Sequence, residues 1–268
     1  MAEVLVDPKM ALVTGASGGI GEAISQALVA QDFFVHGVSS KPAKSAKFLE
    51  SIGGESHGLG HVVDLANPYE VNKWSQGAFP DAAPGIVIHA AGITYDRFLF
   101  DRKPLTPEDI DEVTRVMNVN AIAPYIIESN FGQRRRKGGG AVLHLSSISY
   151  HEGNPKQGPY AMSKGALEGL MRVGSHELGG NEADNARINA LALGPVNTDM
   201  WNEVPASTRR KVEAEMRLKR AFTPGEAAEA AMQVLFGTYR EANGMTFVFD
   251  GGLLQKLGVS STSLMHIG

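Results

Sequence analysis

Seven short runs of apolar residues are spaced along this chain and separated by longer amphipathic stretches. That alternation is the strongest constraint on its fold. The runs cover residues 10–13, 33–38, 61–63, 86–89, 141–145, 188–193 and 245–249, and are rich in Val, Ile, Leu and Phe. Short runs without polar alternation suit strands buried on both faces, as in a parallel sheet. Between them, 19–31, 42–52, 68–79, 106–133, 159–179 and 223–236 carry helical patterning. Strand and helix in regular alternation predict an α/β doubly wound parallel sheet of about seven strands with helices on both faces.

Local chemistry supports these boundaries. Thr106-Pro107-Glu108-Asp109 offers an N-cap, a proline in the first turn and early acids, and Thr223-Pro224-Gly225-Glu226 repeats the device. Gly179-Gly180 reads as a helix stop. Arg134 to Lys137, followed by three glycines, reads as the exposed basic end of a long helix. No interdomain linker stands out, so residues 1–268 are expected to form one dinucleotide-binding catalytic domain. Segment 198–220 breaks the alternation and is the candidate substrate lid, and 253–268 is a C-terminal tail.

Composition removes several function classes. The 268 residues contain no cysteine, which excludes disulfides, thiolate zinc sites and cysteine nucleophiles. With 25 basic against 29 acidic residues the net charge is −4, which gives no electrostatic reason to expect nucleic acid. The N-terminus lacks a basic segment followed by a long apolar one, and no run approaches the roughly 20 apolar residues of a membrane span. The expected location is cytoplasmic, with no membrane contact. The eight histidines show no metal spacing, and His89 and His144, inside apolar runs, read as core residues.

The first strand leads into Thr14-Gly15-Ala16-Ser17-Gly18-Gly19-Ile20-Gly21, where a helix begins. Glycines permit a tight turn and close approach of a ligand to the backbone. The helix N-terminus then offers free N–H groups to a pyrophosphate. Downstream lie His89-Ala90-Ala91-Gly92 after the fourth strand, Asn120 in the long helix, Ser147 after the fifth strand, Tyr160 and Lys164 in a Tyr-x-x-x-Lys pair, Gly194-Pro195-Val196-Asn197-Thr198, and Asp250-Gly251-Gly252. Tyr160 and Lys164, four apart on a helix, share one face, and a nearby ammonium favours the phenolate.

This ordered set resembles the classical short-chain dehydrogenase/reductase family, nearest in look to bacterial 3-oxoacyl-carrier-protein reductases. The resemblance implies an oxidoreductase acting on a carbonyl or secondary alcohol, with Asn120, Ser147, Tyr160 and Lys164 as the catalytic set. Tyr160 would be the general acid/base, Ser147 would donate to the substrate oxygen, Lys164 would bond the nicotinamide ribose, and Asn120 would hold a water leading from Lys164 to solvent. The cofactor-binding set would be Gly15, Ser17, Gly18, Gly19, Ile20 and Gly21 at the phosphates, Asp64 and Leu65 at the adenine, and His89, Ala91, Gly92, Gly194, Val196 and Thr198 around the nicotinamide half, with Tyr160 and Lys164. His89 and Ala90 replace the family's usual asparagines, and Leu193 its usual proline. The second strand ends in Val38-Ser39-Ser40-Lys41 with no acid. Ser39, Ser40 and Lys41 would suit a 2′-phosphate, so NADP is the expected cofactor and NAD the alternative. The family also implies a homo-oligomer, tetramer or dimer. Two other readings stay open: a non-catalytic dinucleotide sensor, and a carrier-linked 3-oxoacyl reductase docking through the basic run.

Overall fold

The computed structural model describes residues 5–178, 186–256 and 264–266. All its strands are parallel and lie in one sheet. They are β1 (Val6–Thr14), β2 (Phe34–Ser39), β3 (Gly58–Val62), β4 (Ala83–His89), β5 (Gly140–Ser147), β6 (Ala186–Leu193), β7 (Thr246–Phe249) and β8 (Leu264–His266), in spatial order β3-β2-β1-β4-β5-β6-β7-β8. Every one of the seven expected strands is present. The eighth, in the tail, was not anticipated: three residues give too little pattern to read. The helix stop expected at Gly179-Gly180 lies outside the described residues.

The helices are α1 (Gly19–Val29), α2 (Pro42–Ser51), α3 (Pro68–Gly77), α4 (Pro107–Met117), α5 (Ala123–Gly138), α6 (Ser149–Glu152), α7 (Gly158–Leu178), α8 (Asp199–Glu203), α9 (Ala206–Glu215), α10 (Pro224–Leu235) and α11 (Leu253–Lys256). They cover the sheet on both sides. Alternate residues of β1 show how: Ala11 and Val13 pack in one apolar layer with Ile24 and Leu28 of α1 and Val234 of α10. Leu12 packs in the other, with Val71 of α3 and Ile127 and Phe131 of α5. A third cluster joins Met171 of α7 to Val142 and Ile188. All seven residues of β4 are buried, as a central strand covered on both faces requires. The fold is the Rossmann-like doubly wound sheet expected from the alternation.

The expected helix over 106–133 is two helices joined by a π-type turn at Asn118–Ile122. Both expected N-caps are present, and each is closed into a capping box: Thr106 with Asp109 and Thr223 with Glu226. The basic run needs correction. Arg135 is only 1% exposed; it pairs with Glu128 at 3.5 Å and donates to the Pro84 carbonyl at 3.1 Å. It lies seven residues, two helical turns, beyond Glu128 and so shares its inward face. Arg134 donates to the Phe79 carbonyl at 2.6 Å and stacks over Phe131. A run of four cations looks like a solvated face in sequence, but the helix turns one of them into the interior.

Candidate active site

Because the strands are parallel, Thr14, Ser39, His89, Ser147 and Leu193 all end on one edge of the sheet. The strand order reverses between β1 and β4, and ligands of open α/β sheets sit in the crevice outside such a reversal. The glycine turn and the segment after β4 meet there. Gly15 has φ +68, and a Cβ on it would lie 2.7 Å from Ala91 Cα and 2.8 Å from Ala91 N. Only glycine meets both demands. The Ala91 N–H donates to Thr14 Oγ1 at 3.2 Å, tying the two segments together. Gly21 allows α1 to start against the turn, since a Cβ there would sit 2.2 Å from the Gly15 carbonyl oxygen.

The N-cap of α1 is Gly18, which has no side chain to cap the helix. By contrast α3, α4 and α10 are capped by Asn67, Thr106 and Thr223. The first turn of α1 therefore keeps its N–H groups and dipole end for an anion. Gly19 faces Thr198: a Cβ on Gly19 would stand 3.0 Å from its methyl. Gly194 and Val196 are thereby brought to the same edge, with Val196 buried and bridged to Phe222. At the other end of the crevice, Ser39 donates to Ser17 Oγ at 3.1 Å. Ser40 and Lys41 are exposed beside it, as is Asp64, whose Oδ1 accepts from Ala66 N, while Leu65 is buried.

On the other side of the crevice α7 lies along β5 and β6. Lys164 is 4% exposed and donates to the Leu145 carbonyl at 2.7 Å. His144, next to Leu145, reaches back to the Leu167 carbonyl of α7 at 3.2 Å. These reciprocal bonds hold the helix against the strand. Tyr160, one turn before Lys164, comes next to Ser147, and its ring lies 5.5 Å from Lys164 Nζ. Burial raises the Tyr160 pKa above its usual 10.0, while hydrogen bonding with Ser147 works to lower it. Burial lowers Lys164 to about 8, against the opposing pull of Glu168. Burial thus favours the neutral form of each group, and the Ser147 hydrogen bond and the Glu168 charge oppose it.

Asn120 is fully buried at the π-type turn. Its side chain accepts from Ile93 N and donates to Ile93 O and Ser163 Oγ, each at 2.9 Å. Both amide N–H groups are thus engaged, one on the loop after β4 and the other on α7. The water expected on this residue would have to be held by an oxygen. Asn120 Oδ1 and Lys164 Nζ do border the same space, 3.9 and 3.6 Å from where a Cβ on Gly92 would lie. His89 and His144 are core residues as expected: His89 pairs with Glu128 at 3.0 Å, and the two rings pack edge to face. Each keeps one ring nitrogen without a hydrogen-bond partner among the described residues.

The family model described as enoyl-(acyl carrier protein) reductase matches residues 15–254. The chain belongs to the short-chain dehydrogenase/reductase family. It is 30% identical over 266 residues to the 3-oxoacyl-[acyl-carrier-protein] reductase FabG of Thermotoga maritima, covering 93% of this chain and 99% of that one. The enzyme of the same name from Pseudomonas aeruginosa is 31% identical, covering 91% and 97%. A solved 4-hydroxyisoleucine dehydrogenase complexed with NADH superposes with a TM-score of 0.80 at 23% identity, over 92% of this chain and 99% of that one, a likeness of fold. As a short-chain dehydrogenase/reductase, the protein falls in a family of oxidoreductases that act on CH–OH and C=O groups with a nicotinamide dinucleotide. No helix among the described residues is long and apolar enough to cross a membrane.

The expected site residues therefore share one edge of one sheet. Sequence reading missed the supports behind them: Ser163 under Asn120, Glu128 under His89, and Glu168 beyond Lys164. A signal for the last was present, because Tyr160, Lys164 and Glu168 repeat every four residues.

Proposed function

We propose that this protein is an NADP-dependent carbonyl reductase, reversible as an alcohol dehydrogenase, with Tyr160 as its general acid/base. The observation that carries the reading is Tyr160 and Lys164 on one face of α7, against Ser147 and the Leu145 carbonyl. The cradle fits the cofactor: glycines leave room for backbone contact with a pyrophosphate, and α1 presents uncapped N–H groups. In this reading Gly15, Ser17, Gly18, Gly19, Ile20 and Gly21 hold the phosphates. Asp64 and Leu65 flank the adenine, and His89, Ala91, Gly92, Gly194, Val196 and Thr198 surround the nicotinamide half. The absence of an acid after β2 and the exposed Ser40 and Lys41 favour a 2′-phosphate.

When bound, the dinucleotide supplies or accepts a hydride. Ser147 donates to the substrate oxygen and steadies its developing charge. Tyr160 gives that oxygen a proton in reduction and takes one in oxidation. Lys164, as an ammonium, bonds the ribose and favours the phenolate. Asn120 positions the loop after β4, and its oxygen, beside Lys164, holds the water leading to solvent.

We favour a 3-oxoacyl thioester as substrate, on the names of the two relatives above. Segment 198–220, whose helices α8 and α9 bury no residue, serves as the lid, anchored by the buried Met216 and Phe222. The protein acts in the cytoplasm as a homo-oligomer. The test is NADPH oxidation with a panel of 3-oxoacyl thioesters and simple ketones. Tyr160→Phe is expected to lower kcat by 10²-fold or more. Full activity in that variant, or tighter binding of NADH than NADPH, would overturn the respective assignment.

A further inference from the structure

Tyr160, Lys164, Glu168 and Arg172 follow one another at intervals of four along α7 and so lie in one row. The row goes from the candidate active site into the interior and out again. Glu168 is 1% exposed, a carboxylate almost wholly removed from water. Buried charges persist only where something compensates them. Thr246 of β7 donates its hydroxyl hydrogen to Glu168 Oε2, while Oε1 has no hydrogen-bond partner among the described residues. Neutral hydroxyls, this one and that of the nearby Tyr150, do not balance a charge.

The groups facing Glu168 can be weighed in turn. Arg172 stands 3.9 Å away but is 54% exposed, so solvent screens it. Tyr150, from α6, stays a phenol: burial and the nearby Glu168 charge both push its pKa up. His151, also from α6, is held towards neutrality by burial, against the pull of Glu168. Lys164, one turn away and 4% exposed, is the remaining cation among the described residues, and its hydrogen bond there is to a neutral carbonyl.

We propose that Glu168 is a positioning residue for the reaction: its buried carboxylate is the through-space counter-charge that keeps Lys164 an ammonium beneath Tyr160. This rests on the catalytic roles proposed above for Tyr160 and Lys164. Two buried opposite charges one helical turn apart stabilise each other's ionised forms, and removing one moves the other by roughly one pH unit or more. Burial already draws Lys164 down to about 8, so loss of Glu168 would bring its deprotonation into the physiological range. Thr246 then has a second function, since its hydroxyl fixes the carboxylate in place.

The test separates charge from packing. Glu168→Gln keeps the shape and an oxygen to accept from Thr246 but removes the charge. Thr246→Val removes the hydrogen bond and keeps the charge. The paired change Glu168→Leu with Thr246→Val removes both partners without leaving an orphaned polar group, and serves if the glutamine variant does not fold. Two quantities are read against pH: NADPH affinity from quenching of intrinsic fluorescence, and kcat for carbonyl reduction. In the wild type both are expected to fall on the alkaline side as Lys164 loses its proton. Glu168→Gln and the paired variant are expected to shift that limb down by about one pH unit, with kcat at pH 6 within about threefold of wild type. Thr246→Val is expected to leave the limb in place. An unmoved limb in Glu168→Gln, or an equal shift in Thr246→Val, would overturn the proposal. A wild type inactive on every carbonyl would sink the oxidoreductase reading instead, and the affinity limb would still report on Glu168.

Discussion

Gly15→Ala tests the physical basis of the cofactor cradle. Gly15 sits at φ +68, where an alanine costs about 1–2 kcal/mol. Its new Cβ would come 2.7 and 2.8 Å from backbone atoms of Ala91, which cannot rotate away as a side chain can. Relief requires the β1–α1 turn and the segment after β4 to separate, at a further cost of about 1–3 kcal/mol. Together these predict a loss of about 2–5 kcal/mol in urea unfolding, a large share of an ordinary domain's stability. The separation also strains the Thr14–Ala91 hydrogen bond and pulls Ala91-Gly92 away from the phosphate turn. NADPH affinity, by fluorescence titration, is therefore expected to fall at least about tenfold, or 1.4 kcal/mol. Gly132→Ala is the control. A Cβ there meets nothing within 4 Å, and in the middle of α5 the change should stabilise by about 0.5–1 kcal/mol. A Gly15→Ala variant that loses under about 1 kcal/mol and binds NADPH within twofold of wild type would refute the argument.

Two further outcomes concern the scaffold. Arg135→Ala leaves the largely buried Glu128 carboxylate with His89 as its remaining partner among the described residues and is expected to cost about 3–5 kcal/mol in urea unfolding, whereas Lys137→Ala, exposed on the same helix, should change stability by under about 0.5 kcal/mol; equal effects would contradict the buried pair. Asp109 is held at about 2, below its usual 3.8, first by the Thr106 backbone N–H and then by the Tyr95 hydroxyl, with burial opposing them. Its folded pKa is depressed, so its contribution is complete above pH 4 and is lost as pH falls towards 2. The melting temperature of Asp109→Asn should therefore vary less than wild type between pH 4 and 2, and parallel curves would exclude this carboxylate as a source of the acid limb.

The sequence by itself determined the layer order of this protein. Short apolar runs and amphipathic stretches alternate because a parallel strand must be covered on both faces, and that is a local property visible residue by residue. It also located the glycine turn, the N-caps at Thr106 and Thr223, and the row of Tyr160 and Lys164, because each is a spacing within one element. Tertiary structure decided what depended on a neighbour distant in the chain. Asn120 spends its amide on Ile93 and Ser163 because the π-type turn and α7 meet there, and Arg135 is buried because α5 packs its Glu128 face against β4. The tail contributes β8 because β7 has an open edge to pair with. Glu168 is the sharpest case: its spacing was legible, but burial, which makes its charge matter to Lys164, exists only once α7 lies against the sheet.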